Sequence, residues 1–430
     1  MKTVLLKGGF VVTPQGVVRT NIILCNGKIQ LAAGEGRCDK VVDITDKYVV
    51  PGFVDIHFHG YELFDFTFGL YDPDAGAYDS NPATYKDCFN KLRSKLAEFG
   101  VTGFYVASVT ASIETLKNCY ARLADYLGRA EDTAIGARLL GGLLEGPFIA
   151  LEKAGAMNPD LILEPALEAF ERIEDHGTIK LANVVPDAGP KSYEMIKYLT
   201  EKGIIVGAGH TIASCSQVAD AIKAGLKYCI HFTNQTDGLY KPFEGGGAIE
   251  AVLKFDELYA ELIGDGYHVN PAYIRDIIKR KGVEKIVGMT DCTFVAGSSL
   301  RRIGFGGVRG QVSDDGNYIA VEGMKNTLFG SNLTMNRAFE NMLNWLTSEM
   351  EGIWNRRHPA LGFEEALTAA AGIYSTNPCE LTGLAAEGFG RIADGTKADI
   401  TVLDIAGSPG SYKVRVESTI VDGNFVYSRN

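Results

Sequence analysis

The stretch PGFVDIHFHG at residues 51–60 decides how the rest of the chain is interpreted. Its apolar residues favour a strand, which the Pro–Gly pair opens and Gly60 closes. Residues two apart in a strand point to the same face, so His57 and His59 project together at its carboxyl end. Two imidazoles in this arrangement suit one divalent metal ion, although so short a pair also occurs on polar strand faces that bind nothing.

Composition narrows the class of protein. The chain has 430 residues, 46% hydrophobic and 22% charged, which is typical of a globular protein with one large domain and a minor one. Its net charge of -11 disfavours nucleic acid and anionic membranes as partners. No apolar run approaches the ~20 residues of a membrane helix, and the first residues lack a signal-peptide core. The eight scattered cysteines are typical of reduced thiols, so we expect a cytoplasmic protein.

The two ends of the chain share one character. Residues 1–50 and 381–430 contain short strand-like runs separated by turns. We therefore predict that the two ends combine into one small β-sandwich domain.

The middle, residues 51–380, alternates short apolar runs with segments of helical periodicity, such as 85–99, 113–127 and 215–224. This alternation is typical of α/β proteins with a parallel sheet. Eight such units predict a (β/α)8 TIM-like barrel. The candidate strands are 53–58, 103–108, 139–145, 179–184, 204–208, 228–232, 260–264 and 286–290.

Polar residues with metal-binding chemistry follow these candidate strands. Active sites of such barrels lie at the carboxyl ends of the strands, so residues at these positions are expected to meet. Six independent coincidences would be needed to place them there without a function. They are His57 and His59 on the first strand, Glu145 on the third, His210 on the fifth, His231 on the sixth and Asp291 on the eighth.

Four imidazoles and two carboxylates provide enough ligands for one or two divalent ions, zinc foremost, with iron or manganese as alternatives. Glu145 could bridge a His57–His59 pair and a His210–His231 pair. Asp291 would then bind metal or accept a proton from water. Such a site favours hydrolysis at a carbonyl or amidine carbon.

Several motifs spread over the whole chain resemble the amidohydrolase superfamily, and more narrowly its N-acetylglucosamine-6-phosphate deacetylase family. The Glu-Gly-Pro-Phe segment at residues 145–148 is the sharpest of them. The others are PGFVDIHFHG at 51–60, GAGHT at 207–211, HFTN at 231–234, GDGYHV at 264–269, TDCT at 290–293, GSNLTM at 330–335, NPCELTGL at 377–384 and GRIADGTKAD at 390–399.

This resemblance implies roles for individual residues. Glu145, His210 and His231 would hold the principal metal, and His57 with His59 would support a second. Asp291 would be the general base and acid. In the family, the residue matching Asn234 and the backbone that follows it, here at Gln235, contact the sugar. A histidine matching His268 reaches the substrate across a dimer interface, so the resemblance also implies a homodimer.

Two positions depart from the family pattern. Met157 stands where the family has a histidine that helps polarise the substrate carbonyl, and a thioether cannot donate a hydrogen bond. The loop at residues 235–244 lacks the arginine that usually binds the substrate phosphate. Lys241 could replace it only as a point charge, without the two-pronged geometry of a guanidinium.

The sequence thus predicts a metal-dependent enzyme that hydrolyses the carbon–nitrogen bond of an N-acetyl amino sugar such as N-acetylglucosamine 6-phosphate. An amide hydrolase for a different, unphosphorylated N-acyl compound is the alternative within enzymes. A catalytically silent sugar-binding protein is the alternative of another class.

Overall fold

The computed structural model describes residues 3–32, 34, 38–128, 134–174, 176–238, 245–305 and 307–429. Numbered in chain order, the strands are β1 (Thr3–Thr13), β2 (Gly16–Cys25), β3 (Lys28–Ala32), β4 (Lys40–Asp43), β5 (Tyr48–Pro51), β6 (Phe53–Phe58), β7 (Gly60–Tyr61), β8 (Phe64–Asp65), β9 (Gly69–Asp72), β10 (Ala77–Asp79), β11 (Val101–Ser108), β12 (Arg138–Leu144), β13 (Ile179–Asn183), β14 (Ile205–Ala208), β15 (Leu226–Cys229), β16 (Tyr259–Ile263), β17 (Ile286–Met289), β18 (Arg302–Phe305), β19 (Val308–Val312), β20 (Tyr318–Val321), β21 (Leu328–Ser331), β22 (Ile400–Ala406), β23 (Lys413–Val421) and β24 (Asn424–Ser428). The α-helices are α1 (Pro82–Glu98), α2 (Ile113–Leu127), α3 (Leu167–Ile173), α4 (Pro190–Glu201), α5 (Cys215–Ala224), α6 (Ala248–Lys254), α7 (Pro271–Lys281), α8 (Met335–Leu346), α9 (Phe363–Ala371) and α10 (Asn377–Thr382). None of these helices combines the length and apolar character needed to cross a membrane.

A barrel of eight parallel strands forms the centre of the molecule, in the order β6, β11, β12, β13, β14, β15, β16 and β17. It closes just beyond β17, where the backbone N–H of Asp291 donates to the carbonyl oxygen of His57 at 3.0 Å. All eight predicted strands are present. The largest displacement is that of 228–232, observed at Leu226–Cys229. The predicted (β/α)8 fold is confirmed.

Helices cover the outside of the barrel, and α1 shows why these segments are helical. Pro82 occupies its first turn, where a missing N–H costs nothing. Phe89, Leu92 and Leu96 recur at spacings of three and four residues, and all three are buried against the barrel. The predicted helices at 85–99, 113–127 and 215–224 are observed as α1, α2 and α5.

Strands from both ends of the chain form one separate sheet in the order β24, β23, β22, β5, β1, β2 and β3, with β4 paired to β1. The two chain ends meet where β22 runs antiparallel to β5 and Ile400 lies opposite Pro51. Val11, Ile22 and Val402 belong to its own apolar cluster. The predicted small β domain built from both ends is therefore confirmed, whereas the boundaries 1–50, 51–380 and 381–430 remain predictions.

Two small antiparallel sheets at the carboxyl end of the barrel were not predicted. One contains β7–β10, and the other contains β18–β21, residues 302–331, which we call the cover sheet. Tyr71 and Tyr78 of the first sheet pack on Phe294, which belongs to the apolar cluster of the cover sheet. Their position places them around the mouth of the barrel.

Candidate metal and active site

The six predicted site residues come together at the carboxyl ends of the barrel strands. His57 lies in β6, and the other five follow the ends of β6, β12, β14, β15 and β17 within one or two residues. All six are buried, with exposures between 0% and 7%. They are His57, His59, Glu145, His210, His231 and Asp291.

Glu145 lies between two pairs of histidines. Its Oε1 lies 2.9 Å from His231 Nε2 and 3.4 Å from His210 Nε2. Its Oε2 lies 3.5 Å from His59 Nε2, and Oε1 lies 3.7 Å from His57 Nε2. Glu145 thus forms one potential metal-binding set with His57 and His59 and another with His210 and His231. In each set the ligand atoms lie within 4.8 Å of one another.

Three of the histidine rings are held in place by a contact at Nδ1, the ring nitrogen that does not face Glu145. His57 Nδ1 lies 3.2 Å from Glu261 Oε2, His59 Nδ1 lies 3.0 Å from the Ala107 carbonyl, and His210 Nδ1 lies 2.6 Å from the Lys153 carbonyl. An acceptor at Nδ1 selects the tautomer whose Nε2 carries a free lone pair. These contacts therefore hold the three rings with Nε2 facing Glu145.

The buried histidines and acids of the site shift each other's pKa values. Burial alone would lower the pKa of His57, but the carboxylates of Glu261 and Glu145 raise it well above its usual value. Burial likewise opposes the charged form of His59, but hydrogen bonding to Asp291 and the nearby carboxylates raise its pKa. Burial would raise the pKa of Glu145 and Asp291, yet the facing imidazoles hold both below their ordinary values. The imidazoles and carboxylates of this centre therefore stabilise each other's charged forms.

A buried oxygen atom without a hydrogen-bond donor also indicates that this site binds a metal. Glu145 Oε2 is buried and accepts no hydrogen bond from the described residues. A buried carboxylate oxygen without a donor is costly, and a metal ion would satisfy it. Imidazole and carboxylate ligands are those that zinc, iron and manganese accept in proteins.

Asp291 occupies the edge of this cluster next to the first histidine pair. Its Oδ1 lies 3.0 Å from His59 Nε2 and 3.8 Å from His57 Nε2. The aspartate also faces a pocket whose walls include Asn234, His268 and Phe329. A carboxylate that touches both the metal ligands and the pocket is suitably placed to exchange protons with a bound substrate.

The predicted substrate contacts line the same pocket, except for Lys241, which lies outside the described residues. Asn234 and Gln235 line it, and so does Met157, whose sulfur accepts a hydrogen bond from the Thr110 N–H at 3.3 Å. His268 lines the pocket of its own chain, with Nδ1 2.6 Å from Asp265 Oδ2. No partner subunit is needed to bring His268 there, so the homodimer remains a prediction.

Two buried acids of the site were not predicted from the sequence, which favoured an exposed position for Asp65 and left Glu261 unnoticed. Glu261 lies in β16, is fully buried, and accepts the His231 backbone N–H at 2.8 Å in addition to facing His57. Asp65 lines the pocket, and burial raises its pKa to about 7. Each acid stands among apolar strand residues, and this was the available signal, since buried acids are rare unless they are paired.

The sequence of this chain is similar to those of several deacetylases of N-acetyl amino sugar phosphates. The N-acetylglucosamine-6-phosphate deacetylase of Bacillus subtilis is 28% identical over 352 residues, which cover 79% of this chain and 82% of that protein. The human N-acetylglucosamine-6-phosphate deacetylase is 28% identical over 399 residues, covering 90% of this chain and 86% of its own. The N-acetylgalactosamine-6-phosphate deacetylase of Escherichia coli O157:H7 is 27% identical over 369 residues, covering 84% and 86%.

Solved structures show the same fold. The crystal structure of N-acetylglucosamine-6-phosphate deacetylase from Thermotoga maritima superposes with a TM-score of 0.78 at 26% identity, covering 99% of this chain and 100% of that one. The enzyme from Mycobacterium smegmatis in complex with N-acetyl-D-glucosamine-6-phosphate gives a TM-score of 0.80 at 24% identity over 100% of both chains. The model of the amidohydrolase family matches residues 48–426. The chain therefore belongs to the amidohydrolase family.

Proposed function

We propose that this chain is a metal-dependent deacetylase that converts N-acetylglucosamine 6-phosphate into the free amino sugar phosphate and acetate. The observation that carries the proposal is Glu145, shared by two histidine pairs, with Asp291 beside one pair and facing the pocket. Relatives named as deacetylases of N-acetyl amino sugar 6-phosphates support the choice of substrate.

Under this proposal Glu145, His210 and His231 hold the principal metal. His57 and His59, together with Glu145, would hold a second ion. Zinc suits these ligands, and iron or manganese are the alternatives for the same set. A bound divalent metal polarises a carbonyl oxygen and lowers the pKa of water towards neutrality.

Asp291 performs the proton transfers. Since the facing imidazoles keep its pKa below the ordinary value, the carboxylate is ionised at neutral pH and can act as a base. It accepts a proton from the attacking water as the carbon–oxygen bond forms. It then donates this proton to the nitrogen as the carbon–nitrogen bond breaks, so the amino sugar leaves as a neutral amine.

Residues around Asp291 orient the sugar. Asn234, Gln235 and His268 contribute polar groups to the pocket, whereas Met157 contributes only an apolar surface and a weak acceptor. Met157 has no proton to donate to the substrate carbonyl, and a bound metal would supply that polarisation.

The test is acetate release from N-acetylglucosamine with and without the 6-phosphate, on protein reconstituted with zinc, iron or manganese. We expect turnover of the phosphorylated sugar. Asp291→Asn keeps the size of the side chain and removes its basicity, so it should bind metal and release acetate roughly 10²- to 10⁴-fold more slowly. Metal binding without turnover of any N-acyl sugar in a broad panel would contradict the proposal and favour a silent sugar-binding protein.

An unphosphorylated N-acyl amino sugar is the second candidate substrate. It is favoured by the pocket wall, in which no lysine or arginine occurs among the described residues. A sugar without phosphate needs no such cation. Higher kcat/KM for N-acetylglucosamine than for its 6-phosphate would select this candidate.

A further inference from the structure

A groove leads away from the active-site pocket, and the two share part of their walls. Met157 and Gln235 line both. One side of the groove is the loop at residues 151–159, and the other is the cover sheet, from Gly307 to Thr327. A ligand that fills the pocket can therefore extend past Met157 and Gln235 towards the cover sheet.

Arg309 is the one lysine or arginine among the described residues that line this groove. It lies in β19, two residues beyond Gly307, or roughly 7 Å along the strand. Gly307 itself lies against the loop that carries Met157, since a Cβ added there would be 3.3 Å from Asn158 Nδ2. Arg309 therefore lines the groove two residues beyond the point where the cover sheet meets the loop that carries Met157.

The guanidinium of Arg309 forms no hydrogen bond or ion pair with the described part of the chain. The residue is exposed and lines the groove. Glu152 and Glu322 line the same groove, yet neither forms an ion pair with it among the described residues. Arginine is the side chain best suited to a phosphate, because its planar fork makes two parallel hydrogen bonds to phosphate oxygens.

The phosphate of the substrate needs a cation beyond the metal ligands. In a 2-acetamido hexose, C2 lies across the ring from C5, which carries the C6 phosphate. With the acetamide at Glu145 and Asp291, the phosphate lies one sugar ring away from them. The pocket between these points contains the acids Asp65, Glu145 and Asp291, and its described lining contains no lysine or arginine.

We propose that Arg309, from the cover sheet, binds the 6-phosphate of the substrate at the junction of groove and pocket. This assignment rests on the proposed deacetylase function. It gives the cover sheet a role in specificity, in place of the arginine absent from the loop at residues 235–244.

The test compares Arg309→Met with Arg302→Met in metal-reconstituted protein. Arg302 lies on the same sheet, is exposed, and lines neither the pocket nor the groove, so its variant removes the same charge without removing the contact. For Arg309→Met we expect KM for N-acetylglucosamine 6-phosphate to rise roughly 10- to 100-fold, with kcat changed by less than about threefold. Turnover of unphosphorylated N-acetylglucosamine should be unchanged, and Arg309→Lys should restore part of the affinity.

Binding of glucose 6-phosphate, which has no acetamide, separates this inference from the proposed function. Its Kd should rise in Arg309→Met and stay at the wild-type value in Arg302→Met, whether or not the protein deacetylates anything. Equal weakening in both variants, or none in Arg309→Met, would overturn the assignment to Arg309. Absence of acetate release with intact, Arg309-dependent binding would instead contradict the deacetylase proposal.

Discussion

Glu261 offers a sharp test of how the site is built. One of its carboxylate oxygens, Oε2, lies 3.2 Å from His57 Nδ1 and accepts the backbone N–H of His231 at 2.8 Å. The side chain is completely buried, so water cannot replace it. A single atom thus supports one histidine of each potential metal-binding set.

The size of the effect follows from these two bonds. Glu261→Ala leaves two buried donors unpaired at about 1–3 kcal/mol each, so the free energy of unfolding should fall by about 2–6 kcal/mol. Glu261→Gln keeps an oxygen for the same donors and removes only the charge. Loss of such outer support lowers metal affinity roughly 10- to 100-fold, and this is the change expected for the glutamine variant.

Competition with a chromogenic chelator measures the metal affinity, and urea unfolding of the metal-free protein measures stability. Glu257→Gln is the matched control, because Glu257 is exposed just before β16 and its loss removes the same charge. Wild-type metal affinity in Glu261→Gln would refute the reasoning. An equal loss of metal affinity in Glu257→Gln would show that the effect comes from the change in net charge.

Three other outcomes follow from the same geometry. Asp291→Asn should lower kcat by roughly 10²- to 10⁴-fold while metal content, measured by atomic absorption, stays at the wild-type level. Chelation of the metal should abolish acetate release and lower Tm, since an ion present at about 1,000 times its Kd contributes about 4 kcal/mol. Burial alone would raise the Asp276 pKa, but hydrogen bonds from Asn355 and the backbone of Trp354 lower it to about 2. Its stabilisation of about 2.5 kcal/mol should be complete above about pH 4 and lost as pH falls through 2, and Asp276→Asn should flatten this acid limb in urea titrations.

The barrel and its ligand residues could be predicted because both follow from local patterns. A short apolar run in the sequence predicts a buried parallel strand, and the last residue of the run predicts the carboxyl end of that strand. His210, His231 and Asp291 each follow such a run directly, so the strand assignments alone bring them to one face. No long-range information was needed.

Glu261 could not be found in this way, because its role depends on register. Its carboxylate reaches His231 and His57 only because β16 lies beside β15 with Tyr259 opposite Tyr228. A shift of one residue would turn Glu261 to the other face of the strand. Register between neighbouring strands is a property of the folded sheet, and the sequence of β16 alone does not specify it.

The cover sheet escaped prediction for a different reason. Between β17 and α8 its segments contain Gly304, Gly310 and Gly316 and many polar residues, which weaken the alternation that identifies strands. Distant residues such as Tyr71 and Tyr78 pack against its apolar cluster. Isolated hairpins of this kind are marginal, so packing on the barrel rather than local propensity decides their structure.

The backbone at the site shows what holds the ligands in place. His210, His231 and Asp291 adopt positive φ values of 52°, 30° and 52°, a conformation that costs roughly 1–3 kcal/mol for such residues. Neighbours fix it: the Asn183 side chain bonds both the N–H and the carbonyl of Gly209, and the Ser331 N–H donates to the Asp291 carbonyl at 2.7 Å. These bonds come from protein groups, so folding itself holds the backbone next to His210 and at Asp291. A chain with the same motifs but without these bonds would lose that support for the positive φ values of His210 and Asp291.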